Sequence, residues 1–278
     1  MYGAILGDII GSPYEFGEHE KTKEFPLFTD HSHFTDDTVM TIGIANGLLA
    51  EELDEEDDEV IKKSLIKSLQ AWGRAYPNRG YGRRFKLWLY QEDPKPINSY
   101  GNGSAMRVSP VGWLYDSLDR TLHIAHLTAV ISHDHPEGIK GAECVAGAIF
   151  LARSGCTKEQ IKDYIETDFK YNLDRTLDEI RPTYHHIESC QESVPEAIIC
   201  FLEGESFEDV IRNAVSLGGD TDTQAAIAGS IAEAYYGIDK ELKSLCYDTY
   251  LTKRMREVVD FFEGIRQKST IEQGIHYF

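Results

Sequence analysis

The chain has 278 residues, of which 41% are hydrophobic, and a formal net charge of −19 at pH 7. This length and composition suffice for one large domain with a substantial core, and we expect residues 1–278 to form a single domain. The acidic balance argues against a nucleic-acid partner, because the phosphates of nucleic acid require a basic protein surface, but it does not forbid a small phosphorylated ligand.

Two further features of the composition predict a cytoplasmic protein. No run of about 18 apolar residues is present, and Met1–Gly3 does not provide the basic segment of a signal peptide, so neither membrane insertion nor secretion is expected. The five cysteines show no C-x-x-C spacing, which argues against a disulfide framework and a structural zinc site. We expect a cytoplasmic monomer.

The N-terminal segment combines glycines with isolated acids. Gly7 and Gly11 indicate a close backbone approach, and Glu15 follows in a turn rich in glycine and proline. Asp8 is predicted to hydrogen-bond a neighbouring loop or to hold the metal-binding residues in place without contacting the metal itself. The first acidic cluster, Thr35–Thr38, then places two aspartates before an apolar helical pattern.

The middle of the chain predicts helices around a glycine-rich loop. The acidic run 51–59 is expected to be a solvated loop and helix start, and the apolar residues of 61–72 recur at the spacing of one helical face. The loop at 99–104 lacks the third glycine of a dinucleotide fingerprint, because Met106 occupies that position, and it can instead form an anion-binding nest. Arg107 is expected either to contact a phosphate or to form a structural ion pair.

Helices are predicted through most of the remaining chain. Ile139–Ile149 carries apolar residues at helical spacing, while Thr157–Gln160 and Ser193–Glu196 match capping boxes that open helices. Residues 240–267 predict one or two final helices. Because strand-like alternation is scarce, the expected fold class is all-α.

The second acidic cluster, Gly218–Thr223, places Asp220 and Asp222 before another apolar helical pattern. Each cluster has more carboxylates and hydroxyls than one helix cap requires, although capping by Asp36 or Asp220 is the alternative interpretation. Oxygen ligands of this kind bind Mg²⁺ and Mn²⁺, and a pair of ions needs several carboxylates. We therefore interpret the two clusters as halves of one metal site.

Paired histidines at 31 and 33, and at 133 and 135, suggest a zinc hydrolase as another interpretation. Zinc sites take three or four nitrogen or sulfur ligands, and no H-E-x-x-H motif is present. The acidic clusters therefore predict the metal site better than the histidines do.

In their order along the chain, these motifs resemble the ADP-ribosylglycohydrolase family. The segments that carry the resemblance are Gly3–Asp8, Thr35–Thr38, Ser99–Arg107, Ser132–Gly138, Val194–Ala197, Gly218–Thr223 and Tyr236–Gly237. They span nearly the whole chain, and the resemblance implies a single multi-helix domain of the all-α class.

The resemblance also implies a site. Two Mg²⁺ ions, or Mn²⁺ in their place, would be held by Thr35, Asp36, Asp37, Asp220, Asp222 and Thr223. Glu15 would lie near the metals, and the catalytic residues would be Glu15, Asp36, Asp37 and Asp222. ADP-ribose would be bound by Ser99, Tyr100, Gly101, Asn102, Gly103 and His133.

The implied reaction is metal-dependent hydrolysis of the C1″ glycosidic bond that joins ADP-ribose to an acceptor. The family includes enzymes for arginine, serine, poly(ADP-ribose) and small ADP-ribose derivatives, and the segment Ser132–Glu137 favours arginine. The partner would be an ADP-ribosylated protein or a small ADP-ribosyl substrate. A non-catalytic relative and a metal-dependent phosphoesterase are the alternatives, and the complete set of ligands favours catalysis.

Overall fold

The computed structural model describes residues 1–16, 19–49 and 57–275, with side chains up to residue 266. These ranges form α-helices, with short 3-10 and π-helical segments, joined by turns and loops, and they contain no β-strand, which confirms the all-α prediction. None of the described helices combines the length and apolar character needed to cross a bilayer. The helices are α1 (Tyr2–Gly11), α2 (Asp36–Leu49), α3 (Asp58–Ala75), α4 (Arg83–Trp88), α5 (Gly103–Met106), α6 (Val111–Leu114), α7 (Leu118–Val130), α8 (Pro136–Arg153), α9 (Lys158–Tyr164), α10 (Leu177–Ile180), α11 (Cys190–Glu203), α12 (Phe207–Ser216), α13 (Thr221–Tyr236), α14 (Lys240–Leu245) and α15 (Lys253–Ile275).

Helices α1 and α13 lie antiparallel at the centre and touch through their backbones. All residues of α1 are buried, and Gly3, Gly7 and Gly11 face α13 at a spacing of four. A Cβ atom at Gly3 or Gly7 would lie 2.1 Å from a carbonyl oxygen of α13, and one at Gly11 would lie 2.5 Å from another. Only glycine therefore permits this approach. The facing residues of α13 are Gly229, Ala225 and Thr221, respectively.

The apolar faces predicted from the sequence pack around this pair. On α3, the stripe of Ile61, Leu65, Leu69 and Trp72 is fully buried, and it lies against α2. The pattern predicted for Ile139–Ile149 lies in α8, which packs on α7 and α13. Burial of these faces is the main stabilising term for helices that would be marginal alone.

Two helix starts test the capping predictions. Thr157 opens α9 with both reciprocal hydrogen bonds of a capping box, as predicted. The prediction for Ser193 is wrong, because α11 begins at Cys190 and the Ser193 hydroxyl donates to the carbonyl of Ser189 inside the first turn, at 2.8 Å. The earlier start is fixed by a distant contact, since the Cys190 amide donates to the carbonyl of Tyr100 at 2.8 Å.

Two other predicted segments are partly covered by the described residues. In the acidic run 51–59, residues 51–56 lie outside them, and Asp57 caps α3 by accepting from the amide of Glu59 at 2.7 Å. The final helices predicted for 240–267 are α14 and α15.

We predict that Gly7→Ala lowers the free energy of unfolding by about 3 kcal/mol, because the new methyl group would force α1 away from α13. Chemical unfolding followed by circular dichroism measures the change. Gly264→Ala in α15 is the matched control, because a Cβ atom there meets nothing within 4 Å. This control should gain about 0.5–1 kcal/mol from its higher helix propensity. Equal effects of the two substitutions would show that the α1–α13 contact is not tight.

Candidate active site

A cavity of about 480 Å³ lies where α2, α5 and α13 begin, beside the turn that follows α1. Every site residue predicted from the sequence lines it except Tyr100. The ring of Tyr100 is 51% exposed and packs edge-on against His135 outside the cavity. The fold therefore brings both acidic clusters, Glu15 and the glycine-rich loop to one place.

Asp8 binds the start of α2 from the neighbouring helix α1. Its buried carboxylate accepts hydrogen bonds from the amides of Thr35 (2.9 Å) and Thr38 (3.0 Å) and from both threonine hydroxyls. These amides are among those that an α-helix leaves unpaired at its start, so Asp8 acts as the cap of α2. The capping alternative for Asp36 is therefore wrong, and the carboxylates of Asp36 and Asp37 are left for another role.

The aspartates of the first acidic cluster face the second cluster. Asp37 Oδ2 accepts from the Thr223 hydroxyl at 3.2 Å, while the buried Asp37 Oδ1 has no partner among the described residues. The Asp36 amide donates to the carbonyl of Arg79 at 2.7 Å. A Cβ atom at Gly80 would lie 2.7 Å from Asp36 Oδ1, and the φ of Gly80 is +102°, so both space and conformation require glycine there.

The second acidic cluster forms the start of α13. Gly218 and Gly219 have φ values of +73° and +78°, and this turn places Asp220 at the N-cap position. The Asp220 side chain makes no capping hydrogen bond, and its Oδ2 instead accepts from Asn102 Nδ2 at 2.7 Å. The capping alternative is therefore wrong for Asp220 as well, and this carboxylate is tied to the glycine-rich loop.

Three carboxylates converge at the centre of the cavity. One oxygen from each of Glu15, Asp220 and Asp222 lies within 4.8 Å of the other two. Burial and repulsion by neighbouring carboxylates raise the pKa of Glu15 to about 9, of Asp222 to about 8 and of Asp8 to about 7. The same two causes raise the pKa values of both aspartates in the first cluster well above their ordinary range.

The donor set fits hard divalent cations. It consists of carboxylate and hydroxyl oxygens, which suit Mg²⁺ and Mn²⁺. Among the described residues, no lysine, arginine or histidine forms an ion pair with Glu15 or with the aspartates of either cluster. Such closely placed carboxylates repel one another unless protons or cations offset their charge.

The histidines of the zinc interpretation do not converge. His33 lines the cavity with its Nδ1 against the carbonyl of His31, and His135 Nδ1 accepts from the amide that opens α8. His133 contacts Ser132 in another wall. In the described part of the chain, the group of three or more candidate ligands that comes together contains only carboxylates.

The glycine-rich loop is held by the segment that precedes α11. The Asn102 amide donates to the carbonyl of Glu188 at 2.7 Å, and Gly101 pairs with Ser189 in an isolated antiparallel bridge. A Cβ atom at Gly103 would lie 3.1 Å from His133 Nε2. The two glycines therefore leave room for a ligand between the loop and the imidazole.

Arg107 lies fully buried in the wall beside this loop. Its Nη2 donates to the carbonyl of Thr128 and to the hydroxyl of Ser132, each at 2.7 Å. It forms no ion pair with a carboxylate of the described residues, so the predicted structural ion pair is wrong. Burial lowers the pKa of Arg107 to about 9.

Two parts of the cavity lining were not predicted from the sequence. One is residues 78–85, which contribute three arginines, and the other includes Phe16, His186 and Glu188. The glycines at 80 and 82 are a signal of a turn, but no recognisable motif in the sequence connects that turn with either acidic cluster. The arginines of this lining are Arg79, Arg83 and Arg84.

Comparisons with known proteins identify a family and agree with the all-α fold. Residues 1–269 match the family model described as ADP-ribosylglycohydrolase. The human protein named ADP-ribosylhydrolase ARH3 is 30% identical, over 86% of this chain and 85% of its own. ADP-ribosylarginine hydrolase Tri1 of Pseudomonas putida is 22% identical, over 94% of this chain and 76% of its own. A solved structure described as an ADP-ribosylglycohydrolase-related protein complex matches with a TM-score of 0.70 at 24% identity, over 95% of both chains.

We predict that the metal-free protein loses stability as pH rises. Each raised carboxyl group binds its proton more tightly in the folded than in the unfolded state, where the pKa is about 4. Its stabilising effect is complete below that value and is lost as pH rises through the folded pKa, about 7 for Asp8, 8 for Asp222 and 9 for Glu15.

Thermal unfolding after chelation, measured across this pH range, tests the prediction. The melting temperature should fall toward high pH, and added Mg²⁺ should restore more of it at high than at low pH, because binding displaces protons. Asp222→Asn removes one of the repelling carboxylates and should flatten the dependence. A melting temperature of the chelated wild type that stays constant or rises with pH would contradict the prediction.

Proposed function

Because the chain belongs to the ADP-ribosylglycohydrolase family, we propose that it hydrolyses the C1″ glycosidic bond between ADP-ribose and an acceptor, with protein arginine as the favoured acceptor. The observation that carries the proposal is the convergence of Glu15, Asp220 and Asp222 beside the glycine-rich loop. Acidic ligands and an anion-binding loop in one cavity suit a substrate that carries both ribose hydroxyls and a diphosphate.

Two Mg²⁺ ions, or Mn²⁺ in their place, are the proposed cofactor. When bound, such ions would supply positive charge that orients ribose hydroxyls and lowers the pKa of a water molecule. The residues that would hold them are Thr35, Asp36, Asp37, Asp220, Asp222 and Thr223. Asp37 Oδ1, which is buried without a partner among the described residues, supports this assignment.

Glu15 is the proposed residue for handling the proton of the attacking water. It is less buried than Asp37, Asp220 and Asp222, and it follows the short turn Ser12–Tyr14 after α1 as one of the residues that line the cavity. A raised pKa, about 9 without metal, suits a carboxylate that must take up a proton during the reaction. Asp222, within 4.8 Å, is the alternative acceptor of that proton.

The ADP-ribose half of the substrate would bind along the loop Ser99–Gly103 and His133. Asn102 also holds Asp220 through its side chain, which couples the ligand loop to the proposed metal site. Arg79, Arg83 and Arg84 supply local positive charge for a diphosphate on a chain with a net charge of −19. Local charge of this kind can offset an unfavourable long-range field.

The acceptor would lie near Phe16, His186 and Glu188. The rings of Phe16 and His186 stack at 6.2 Å, and Glu188 lies 3.2 Å from His186 Nε2. Phe16 is 74% exposed. An aromatic face beside a carboxylate suits a guanidinium group, which stacks and forms ion pairs. The similar protein Tri1 of Pseudomonas putida is an ADP-ribosylarginine hydrolase by name, which agrees with this choice of acceptor.

We predict that purified protein with Mg²⁺ releases ADP-ribose from an arginine-linked peptide faster than from a serine-linked peptide or poly(ADP-ribose). Chromatographic measurement of free ADP-ribose from matched substrates gives the ratio of kcat/KM values. Chelation should abolish release, and Mg²⁺ or Mn²⁺ should restore it. Faster turnover of the serine-linked peptide would overturn the acceptor but keep the reaction. Turnover of p-nitrophenyl phosphate without release of ADP-ribose would favour a metal-dependent phosphoesterase.

We predict that Asp222→Asn lowers kcat at least about 100-fold, because it removes a charged ligand and a candidate proton acceptor. Cooperative unfolding should remain, and the metal-free variant should melt at a higher temperature than wild type because one repelling carboxylate is gone. Asp163→Asn, on the exposed face of α9, is the matched control and should leave both quantities unchanged. Loss of cooperative unfolding in the Asp222 variant would indicate a structural role instead.

A further inference from the structure

A buried chain of hydrogen bonds leads from Arg107 to the imidazole of His133. Arg107 Nη2 donates to the Ser132 hydroxyl at 2.7 Å, and Ser132 Oγ lies 2.8 Å from His133 Nδ1. Arg107 and Ser132 are fully buried, and His133 is 5% exposed. These hydrogen bonds therefore connect the buried positive charge of Arg107 to the imidazole of His133 in the cavity wall.

The directions of these hydrogen bonds follow from their donors. A guanidinium group has no acceptor, so Arg107 must donate and one lone pair of Ser132 Oγ is occupied. Among the described residues, the Ser132 hydroxyl hydrogen has no other acceptor than His133 Nδ1. A hydrogen on Nδ1 would leave the hydroxyl hydrogen buried and unsatisfied, at a cost in free energy. The hydroxyl therefore donates to Nδ1, and the imidazole hydrogen resides on Nε2.

The charged imidazolium is disfavoured at the same position. Burial, and then the positive charge of Arg107, hold the pKa of His133 well below its ordinary value. Phe85 covers both groups, with its ring 5.8 Å from the imidazole and 5.4 Å from the guanidinium carbon. This covering limits the water that could otherwise exchange protons with the pair.

We propose that Arg107 and Ser132 are positioning residues that fix His133 as its neutral Nε2–H tautomer, so that the imidazole presents a hydrogen-bond donor to a ligand oxygen in the cavity. Nε2 has no partner among the described residues and lies 3.1 Å from the place of a Cβ atom at Gly103. The absence of that side chain leaves room for the ligand oxygen. That the oxygen belongs to ADP-ribose rests on the proposed function.

The first test reads the tautomer directly. Long-range ¹H–¹⁵N correlation spectra of the ligand-free wild type, at neutral pH, distinguish protonated from unprotonated ring nitrogens. In the wild type, the spectrum of His133 should show a protonated Nε2 and an unprotonated Nδ1. In Ser132→Ala, the spectrum should show that His133 no longer occupies a single tautomer. A pattern of Nδ1–H or of the imidazolium in the wild type would overturn the proposal. The wild-type spectrum, which decides the proposal, needs neither substrate nor a variant that must fold.

The second test separates positioning from a structural role of Ser132. Calorimetry with ADP-ribose, on Mg²⁺-loaded protein, should show binding about fivefold weaker in Ser132→Ala, the effect of one lost hydrogen bond. The variant His133→Gln places an amide N–H donor near the position of the imidazole Nε2, and this amide donates whether or not Ser132 is present. The variant His133→Met has a side chain of similar size without a hydrogen-bond donor. Binding should be weaker in the Met variant than in the Gln variant.

The double variant decides between the interpretations. In the His133→Gln background, Ser132→Ala should have no further effect on ADP-ribose binding, because the tautomer no longer matters. An undiminished fivefold loss in that background would falsify the positioning role. If the wild type shows the Nε2–H pattern but neither binds nor releases ADP-ribose, the proposed function fails while the tautomer assignment stands.

Discussion

Contact between the backbones of α1 and α13 determines where the chemical groups of this protein meet. The helices run antiparallel, so Gly11 at the end of α1 meets Thr221 at the start of α13, whose hydroxyl donates to the Gly11 carbonyl at 2.9 Å. Glu15 therefore emerges beside Asp220 and Asp222. A side chain larger than hydrogen at the glycine positions would separate the helices and move these carboxylates apart.

Carboxylates of the same kind perform different tasks because their surroundings differ. Asp8 accepts hydrogen bonds from four donor groups at the start of α2, whereas Asp37 keeps one buried oxygen without a partner among the described residues. By capping α2 together with the Thr35 hydroxyl, Asp8 relieves Asp36 and Asp37 of a structural duty that aspartates at a helix start usually have. Asp8 nevertheless stays electrostatically linked to the site, because burial and then the charge of Asp222 raise its pKa.

Much of the fold and of the candidate site could be predicted from local sequence. Helical periodicity located the apolar faces of α3 and α8, and the unusual density of acids at Thr35–Thr38 and Gly218–Thr223 identified groups that the fold places together. Local sequence failed where a distant contact decides the outcome. The start of α11 follows from the bond between Cys190 and Tyr100, and the Arg107 pairing depends on α7, which no spacing in the sequence reveals.

The central helix pair also has a consequence for biosynthesis. A ribosome produces α1 and the first acidic cluster early, but their partners in α13 follow some 200 residues later in the chain. Contacts so distant in sequence form late in folding, because the intervening chain must first be ordered. Until α13 is synthesised, the nascent chain therefore carries the first acidic cluster without the second. During the same period the glycine face of α1 has no helix packed against it. The complete set of carboxylates and the complete core therefore come together at the same stage of synthesis.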